Sequence, residues 1–373
     1  MAVERRRIVL VNNQGLMSHG GGPTILRHIV ARLSPHHDVT VASFDPPRAD
    51  ARNVRQLTLP LPGQGHWRFA PWHRARHYRA VLSSALEGEF DIVIAMDCHL
   101  ALALPALIAE RKAYIALSCA PRQEWFGRLR RRISIAAQYA YLERSLIRQC
   151  DLTVVASDSQ KEEIKRFEFL PRFAPHVLRP IFDDGEALLA KNDSDLVFTT
   201  ICRLEPVKRV DRVLAIADRL RDRDCRFVIV GDGSQSEILR RQAADLGLSG
   251  VVEFVGESDS PEDYLLRADI LLHTSAYESF GIAIFEAMRH GVVPVLNKGE
   301  GTTIGIAEDI ETGVSGLLAD FGDIDGVCRD LDGLLTDSGM RSRLKCGARK
   351  RAVAMAQRDY VGDLADALGL KIA

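Results

Sequence analysis

The feature that most limits what this chain can become is an alternation of short apolar runs and helical patterns that occurs twice. In the first half the runs 8–11 (IVLV), 39–43 (VTVAS), 91–96 (DIVIAM), 113–117 (AYIAL) and 152–156 (LTVVA) are apolar along most of their length. Runs of that kind suit strands covered on both faces, as in a parallel sheet, and residues at helical spacing lie between several of them. Residues 171–195, PRFAPHVLRPIFDDGEALLAKNDSD, interrupt the pattern with prolines and acidic residues. It then restarts with runs at 197–201 (VFTTI), 227–231 (FVIVG), 251–256 (VVEFVG), 269–275 (DILLHTS) and 292–297 (VVPVLN), the first four each followed by a helical stretch. The last forty residues are helical in pattern. An α/β chain of two Rossmann-like domains with a helical tail is predicted. The expected division is an N-terminal domain over 1–182, a linker over 183–195, a second domain over 196–355, and a C-terminal helix over 356–373 that returns towards the first domain.

A chain of 373 residues suits two cores better than one. Its 46% hydrophobic and 27% charged residues exclude a disordered or fibrous class, and no apolar run nears the roughly 20 residues needed to span a bilayer. The basic start is followed by only four apolar residues before Asn12, which reads as a buried strand and not a secretory leader. Seven cysteines, never in CxxC spacing, argue against a zinc site or a disulfide framework and for a reducing, cytoplasmic location. The net charge of −1 conceals an asymmetry: residues 1–180 carry 26 Lys+Arg against 16 Asp+Glu, whereas 181–373 carry 23 against 34. The basic half is expected to face an anionic partner.

Three stretches carry candidate chemistry. After strand 197–201, Arg203 and Lys208 stand on a loop at the carboxyl end of a strand, where doubly wound folds bind ligands. A guanidinium fork and a mobile ammonium at that spacing suit one diphosphate, and the alternative is a solvated basic loop. Gly231 and Gly233 permit a tight turn and close ligand approach, but Ser236 breaks a GxGxxG fingerprint and disfavours dinucleotide binding. Glu278 and Glu286 flank Ser279, Phe280 and Gly281, whose amides would open a helix and bind an anion. Eight helical positions put the two carboxylates about 12 Å apart, too far for a glycosidase pair but suited to two parts of one long ligand. The alternative has Glu278 capping the helix and Glu286 pairing with Arg289. In the first half, Gly20, Gly21 and Gly22 precede Pro23, which is expected at the first helical position.

The ordered set Arg203…Lys208, FVIVGDGS, VVEFVG, Glu278-x7-Glu286 and EAMRHGVVPV resembles the retaining GT-B glycosyltransferases of the family 4, or group 1, class. The match is strong over 197–297 and looser in the first half, through the GGG loop, DIVIAMDCH and CDLTVVASDSQKEEI. The resemblance implies two Rossmann-like domains facing across a cleft, a nucleotide-diphosphate sugar as co-substrate and transfer with retention to a lipid-linked or saccharide acceptor. It assigns Arg203 and Lys208 to the donor diphosphate, Glu286 to the ribose and Glu278 to the donor sugar. Gly20 to Gly22, Gly231, Gly233 and the Ser279–Gly281 amides join the donor site. Two departures stand out. Where the family often has a histidine this chain has Ser118 and Cys119, leaving Ser118 or His99 to serve the acceptor side; and Lys298 to Thr303 replaces a Gly-Gly-x-x-Glu-like stretch. Competing readings are a nucleotide-sugar 2-epimerase on the same fold and a nucleotide-sugar-binding protein without catalysis.

No metal and no cofactor are expected. The Asp-x-Asp pairs at 193, 222 and 323 occur in linker-like or helix-flanking contexts, and Arg203, Lys208 and a helix N-terminus can stabilise the leaving group instead. The stretches His66–Arg79 and Arg122–Arg132 interleave bases with aromatics. Trp125, Phe126, Arg128, Arg130, Arg131 and Arg132 suit a segment lying on an anionic leaflet, which predicts peripheral attachment to the inner face of the cytoplasmic membrane. A solvated basic face is the alternative; no recognised nucleic-acid module accompanies these stretches, and nucleic acid is not an expected partner.

Overall fold

The computed structural model describes residues 4–49, 51, 53–60, 71–86, 88–119, 129–167, 170–182, 196–299 and 301–372; of 129–133 it describes the backbone alone. The chain forms two compact units, Met1–Phe182 with Asp359–Ala373, and Asp183–Arg358.

In the first unit, β1 (Arg7–Val11), β2 (Asp38–Ser43), β3 (Arg55–Thr58), β4 (Phe90–Ala95), β5 (Ala109–Ile115), β6 (Leu152–Val155) and β7 (His176–Val177) form one sheet. Their order is β3-β2-β1-β4-β5-β6-β7, and every pairing is parallel. Helices α1 (Gly21–Leu33), α2 (Pro71–Ala85), α3 (Leu129–Gln149) and α4 (Asp158–Phe167) connect them. The fully apolar run Ile8–Val11 lies at the centre with each residue fully buried. Strand β5 begins four residues ahead of the expected AYIAL run. Its first half pairs only with β4, since β6 joins from Ala113 onward, so Ala109–Lys112 need not be apolar. Strand β3, RQLT, was not expected, because a polar edge strand lacks the two-sided burial that makes a sequence run visible. Helix α1 starts at Gly21, so Pro23 is its third residue and not its first; the third amide has no intrahelical acceptor either, and proline costs nothing there.

The second unit repeats the plan. Strands β8 (Leu196–Ile201), β9 (Cys225–Val230), β10 (Val252–Gly256), β11 (Ile270–His273), β13 (Val293–Asn297) and β15 (Leu317–Ala319) run in the order β10-β9-β8-β11-β13-β15. A separate two-stranded pair joins β12 (Tyr277–Glu278) to β14 (Thr303–Ile304). Helices α5 (Asp211–Arg219), α6 (Ser236–Asp245), α7 (Glu262–Leu265), α8 (Ile282–Arg289), α9 (Ile324–Thr336) and α10 (Ser338–Met355) complete it. Its core gathers Phe198, Leu214, Phe227, Ile229, Leu272, Val295 and Leu331, with Phe198 and Phe227 stacked at 4.8 Å. Helix α11 (Tyr360–Leu368) belongs to the first unit, where Tyr360 meets Phe182 edge-on at 5.6 Å. In each sheet the strand order reverses beside the first strand, between β1 and β4 and between β8 and β11. Such a reversal opens a crevice at the carboxyl ends of the strands.

Candidate functional site

In the second unit that crevice is lined by the segment after β8 and the segment after β11. Residues Pro206–Lys208 form a 3-10 turn, and Thr274 Oγ1 donates to the Lys208 carbonyl at 2.8 Å while the Ala276 amide donates to that of Val207 at 2.9 Å. The backbone of Lys208 is thereby sewn to the stretch leading to β12. Its ammonium forms an ion pair with Glu278, whose side chain retains 22% of its exposure. Burial pushes the Glu278 carboxyl up, but Lys208 and then His273 pull it down further, so it lies well below the usual carboxylate range. His273 Nε2 stands 3.5 Å from the same carboxylate oxygen. Arg203 is exposed and in no ion pair among the described residues, so its guanidinium is open to a ligand. Arg209, next to Lys208, holds φ at 50° and clasps Asp211 through two 3.1 Å hydrogen bonds; among the described residues no other non-glycine has a positive φ. Strain of that kind gathers at sites where position matters.

Two expectations change in form. Gly231 and Gly233 have φ of 128° and 159°, and the close neighbour they admit is this chain's own backbone: a Cβ there would lie 2.0 Å from the Cys202 carbonyl oxygen and 2.6 Å from that of Leu204. Hydrogen bonds from Cys202 to Val230, Leu204 to Asp232 and Gln235 to Leu204 lock the two loops together, which fixes where Arg203 departs. The carboxylate spacing is also corrected. Glu278 belongs to the short strand β12 and Glu286 is the fifth residue of α8, so the eight positions are not a helical rise and the 12 Å figure does not apply. Nor does Glu278 cap the helix: Gly281, at φ 108°, is the N-cap and offers no side chain. The Phe280 carbonyl accepts from Ile306, and Phe280 itself is buried. Glu286 is half-buried beside the buried Phe285.

In the first unit Gly20 caps α1, with φ 114°, and Gly21 and Gly22 form its first turn. A Cβ on Gly22 would lie 2.9 Å from Leu117 Cδ1, so the glycine turn packs against the segment that carries half-buried Ser118 and buried Cys119. His99 is 5% exposed on a 3-10 turn after β4, with Nδ1 2.5 Å from Asp97 Oδ1 and its ring stacked on Tyr78. Tyr78 Oη donates to Asp97 at 3.2 Å, and Tyr139 meets the His99 ring edge-on. Burial pushes Asp97 up, and His99 outweighs it, leaving the carboxyl below its ordinary value. Asp97, Cys98 and His99 bring potential metal ligands within 4.8 Å, the one such group among the described residues. Both Asp97 oxygens are already engaged, Oδ1 by His99 and Oδ2 by Tyr78. Trp125, Phe126 and Arg128 lie outside the described residues, as do the side chains of Arg130, Arg131 and Arg132.

Sequence reasoning missed Asp97, His273, Thr274 and Asn297. Asn297, buried at the end of β13, donates to the Ser275 carbonyl and to Thr302 and accepts from Gly299 and Phe321, holding three loops in register. The available signal was a polar residue closing an otherwise apolar strand, as in LLH and VLN.

A family model described as glycosyl transferases group 1 matches residues 185–351, and a glycosyl transferase 4-like domain model matches residues 20–180. The lipopolysaccharide core biosynthesis glycosyltransferase LpsE of Rhizobium meliloti is 30% identical over 135 residues, covering 36% of this chain and 38% of that protein. The N-acetyl-alpha-D-glucosaminyl L-malate synthase of Bacillus anthracis is 32% identical over 161 residues, 43% of this chain and 41% of that protein. The matched stretch thus spans well under half the length of these relatives. The structure of Anabaena HepE with UDP and glucose aligns with a TM-score of 0.73 at 19% identity, over 98% of this chain and all of that one, and it shares the GT-B fold.

Proposed function

The chain belongs to the group 1 glycosyltransferases, and from that membership we propose that it is a retaining glycosyltransferase using a nucleotide-diphosphate sugar. The observation that carries the proposal is the meeting of Lys208 and Glu278 at the strand-order reversal of the second unit, with Arg203 exposed on the same loop. Such a place suits a donor: the guanidinium and ammonium attract the diphosphate, and the carboxylate accepts from sugar hydroxyls. The bond between the anomeric carbon and the diphosphate breaks, and charge grows on the leaving phosphate. Arg203, Lys208 and the amides opening α8 stabilise that charge without requiring a metal. The acceptor hydroxyl attacks on the face the diphosphate leaves, and its proton passes to the departing phosphate. Glu286, farther along α8, takes the ribose hydroxyls.

The acceptor side belongs to the first unit, at His99, Ser118 and Cys119. The LpsE relative supports a lipid-linked saccharide acceptor in lipopolysaccharide or related surface glycan synthesis. No helix among the described residues is long and apolar enough to cross a membrane, and attachment at the cytoplasmic leaflet through the basic first half fits such an acceptor. The test is incubation with a panel of nucleotide sugars, with and without lipid acceptors. Nucleotide release that depends on acceptor and yields the α-configured product from an α-configured donor is expected. A sugar epimer, binding without turnover, or an inverted product would overturn the reading.

A further inference from the structure

His273 closes β11 with its side chain buried, and among the described residues its Nε2 has no hydrogen-bond partner. That nitrogen lies 3.5 Å from the Glu278 oxygen that Lys208 also engages, so one carboxylate oxygen faces two bases. The Lys208 ammonium holds the nearer position. In the donor-bound reading developed above, on which this inference rests, that ammonium turns to the diphosphate. A largely buried carboxylate would then be left without its cation, an expensive state unless another donor replaces it. His273 needs to close only about half an ångström to make an ordinary hydrogen bond of about 2.7–3.2 Å.

We infer that His273 is a positioning residue that takes over the Glu278 carboxylate when Lys208 releases it, keeping Glu278 aimed while the ammonium serves the leaving group. The charged groups facing the imidazole are Glu278 from β12 and Lys208 from the turn after β8. On β13, Leu296 pairs in register with His273, and neither it nor Asn297 after it titrates. The Cys202 thiol beside the same pair is pushed up to about 11 by burial and stays neutral. Burial lowers the His273 pKa, Glu278 raises it and Lys208 lowers it again. Taking away Lys208 therefore moves the imidazole towards the charged form that a hand-over requires.

The first experiment needs no substrate. The imidazole of His273 is titrated by NMR in the full chain, with the resonance assigned by its loss in His273→Gln. In Lys208→Met the His273 pKa is expected to rise by about 1 to 3 pH units, and in the Lys208→Met/Glu278→Gln double variant to fall back. Equal titration in the wild type and Lys208→Met overturns the inference. The second experiment reads turnover. His273→Phe should lower kcat roughly ten- to hundredfold with the donor KM changed by less than about twofold, and His273→Gln, which retains an N–H, should recover part of the loss. Equal losses in the two variants, or losses that follow the melting temperature, overturn it as well. A protein that released no nucleotide from any sugar nucleotide would sink the transferase reading and leave the titration to decide the hand-over.

Discussion

Gly231 lies so close to Cys202 that a Cβ on the glycine would stand 2.0 Å from the Cys202 carbonyl oxygen. No rotamer relieves that clash, because both partners are backbone. The φ of 128° alone would cost an alanine about 1–3 kcal/mol, and the steric conflict adds to it. Gly231→Ala should therefore destabilise the second unit and displace Arg203, which leaves the sheet one residue after Cys202. Chemical denaturation reads the first effect and donor affinity the second. A variant with unchanged stability and unchanged affinity would show that the two loops are not held as described.

How much of this was legible in the sequence depends on burial. Ile8–Val11 and Ile270–Leu272 are covered on both faces, so their strands are visible as apolar runs. Arg55–Thr58 lies at a sheet edge and Ala109–Lys112 pairs on one side, so neither leaves such a mark. The site divides the same way. Arg203, Lys208, Glu278 and Glu286 were found through residue type, strand ends and family pattern. That Lys208 is engaged by Glu278 depends on a contact across 70 positions, and spacing within one loop carries no information about it. The 12 Å figure failed because it assumed continuous helix, while Gly281 begins α8 only after Glu278 has formed its own short strand.

Glu286→Ala should weaken nucleotide binding about ten- to hundredfold, the worth of a hydrogen bond to a charged group at roughly 1.5–3 kcal/mol. The residue is half-buried on α8, so removal of its carboxylate leaves the helix intact. Calorimetric titration with the nucleoside diphosphate alone checks this. Unaltered affinity in a folded variant would remove Glu286 from the donor site.

Arg203→Ala and Lys208→Ala should each lower turnover by about 10²- to 10³-fold, the usual cost of losing one preorganised donor to a developing anion. The two should differ in stability. Arg203 is exposed and in no ion pair among the described residues, whereas Lys208→Ala leaves the Glu278 carboxylate without its cation. Turnover by the wild type should survive chelation of divalent ions. Activity that disappears with EDTA and returns with Mg²⁺ would refute the metal-independent mechanism.

Acid should weaken the fold before its carboxylates protonate. Burial lowers the pKa of His273 in the folded chain, so between its unfolded value of about 6.5 and the lower folded value the unfolded state binds more protons. Stability from this group is complete above about pH 6.5 and is lost as pH falls through that window. His37 shifts in the same direction, again chiefly by burial. Glu278 does not contribute there, since its depressed carboxyl loses stability only as pH falls below the unfolded value of about 4.3. The melting temperature should fall between about pH 7.5 and about pH 5.5, and His273→Gln should flatten that fall. An identical pH slope in the variant would mean that His273 is not held neutral by its surroundings.

Helix α3 begins against its own dipole. Its first turn holds Leu129, Arg130, Arg131 and Arg132 and no acidic residue. Cations at a helix N-terminus are unfavourable by about 0.3–1 kcal/mol each, a cost that an anionic surface would reverse. Trp125, Phe126 and Arg128 immediately precede this turn in sequence. Each base near an anionic leaflet contributes about 1 kcal/mol, so four would strengthen attachment by roughly three orders of magnitude while leaving it reversible and sensitive to salt. The full chain should therefore sediment with vesicles rich in anionic lipid at low salt and be released as salt rises. The variant Arg128/130/131/132→Ser should stay in solution with its turnover on a soluble acceptor analogue preserved. Equal, negligible sedimentation of both proteins at low salt would eliminate the membrane attachment and turn the search for the acceptor to soluble saccharides, for which the basic half would serve to collect anionic sugars.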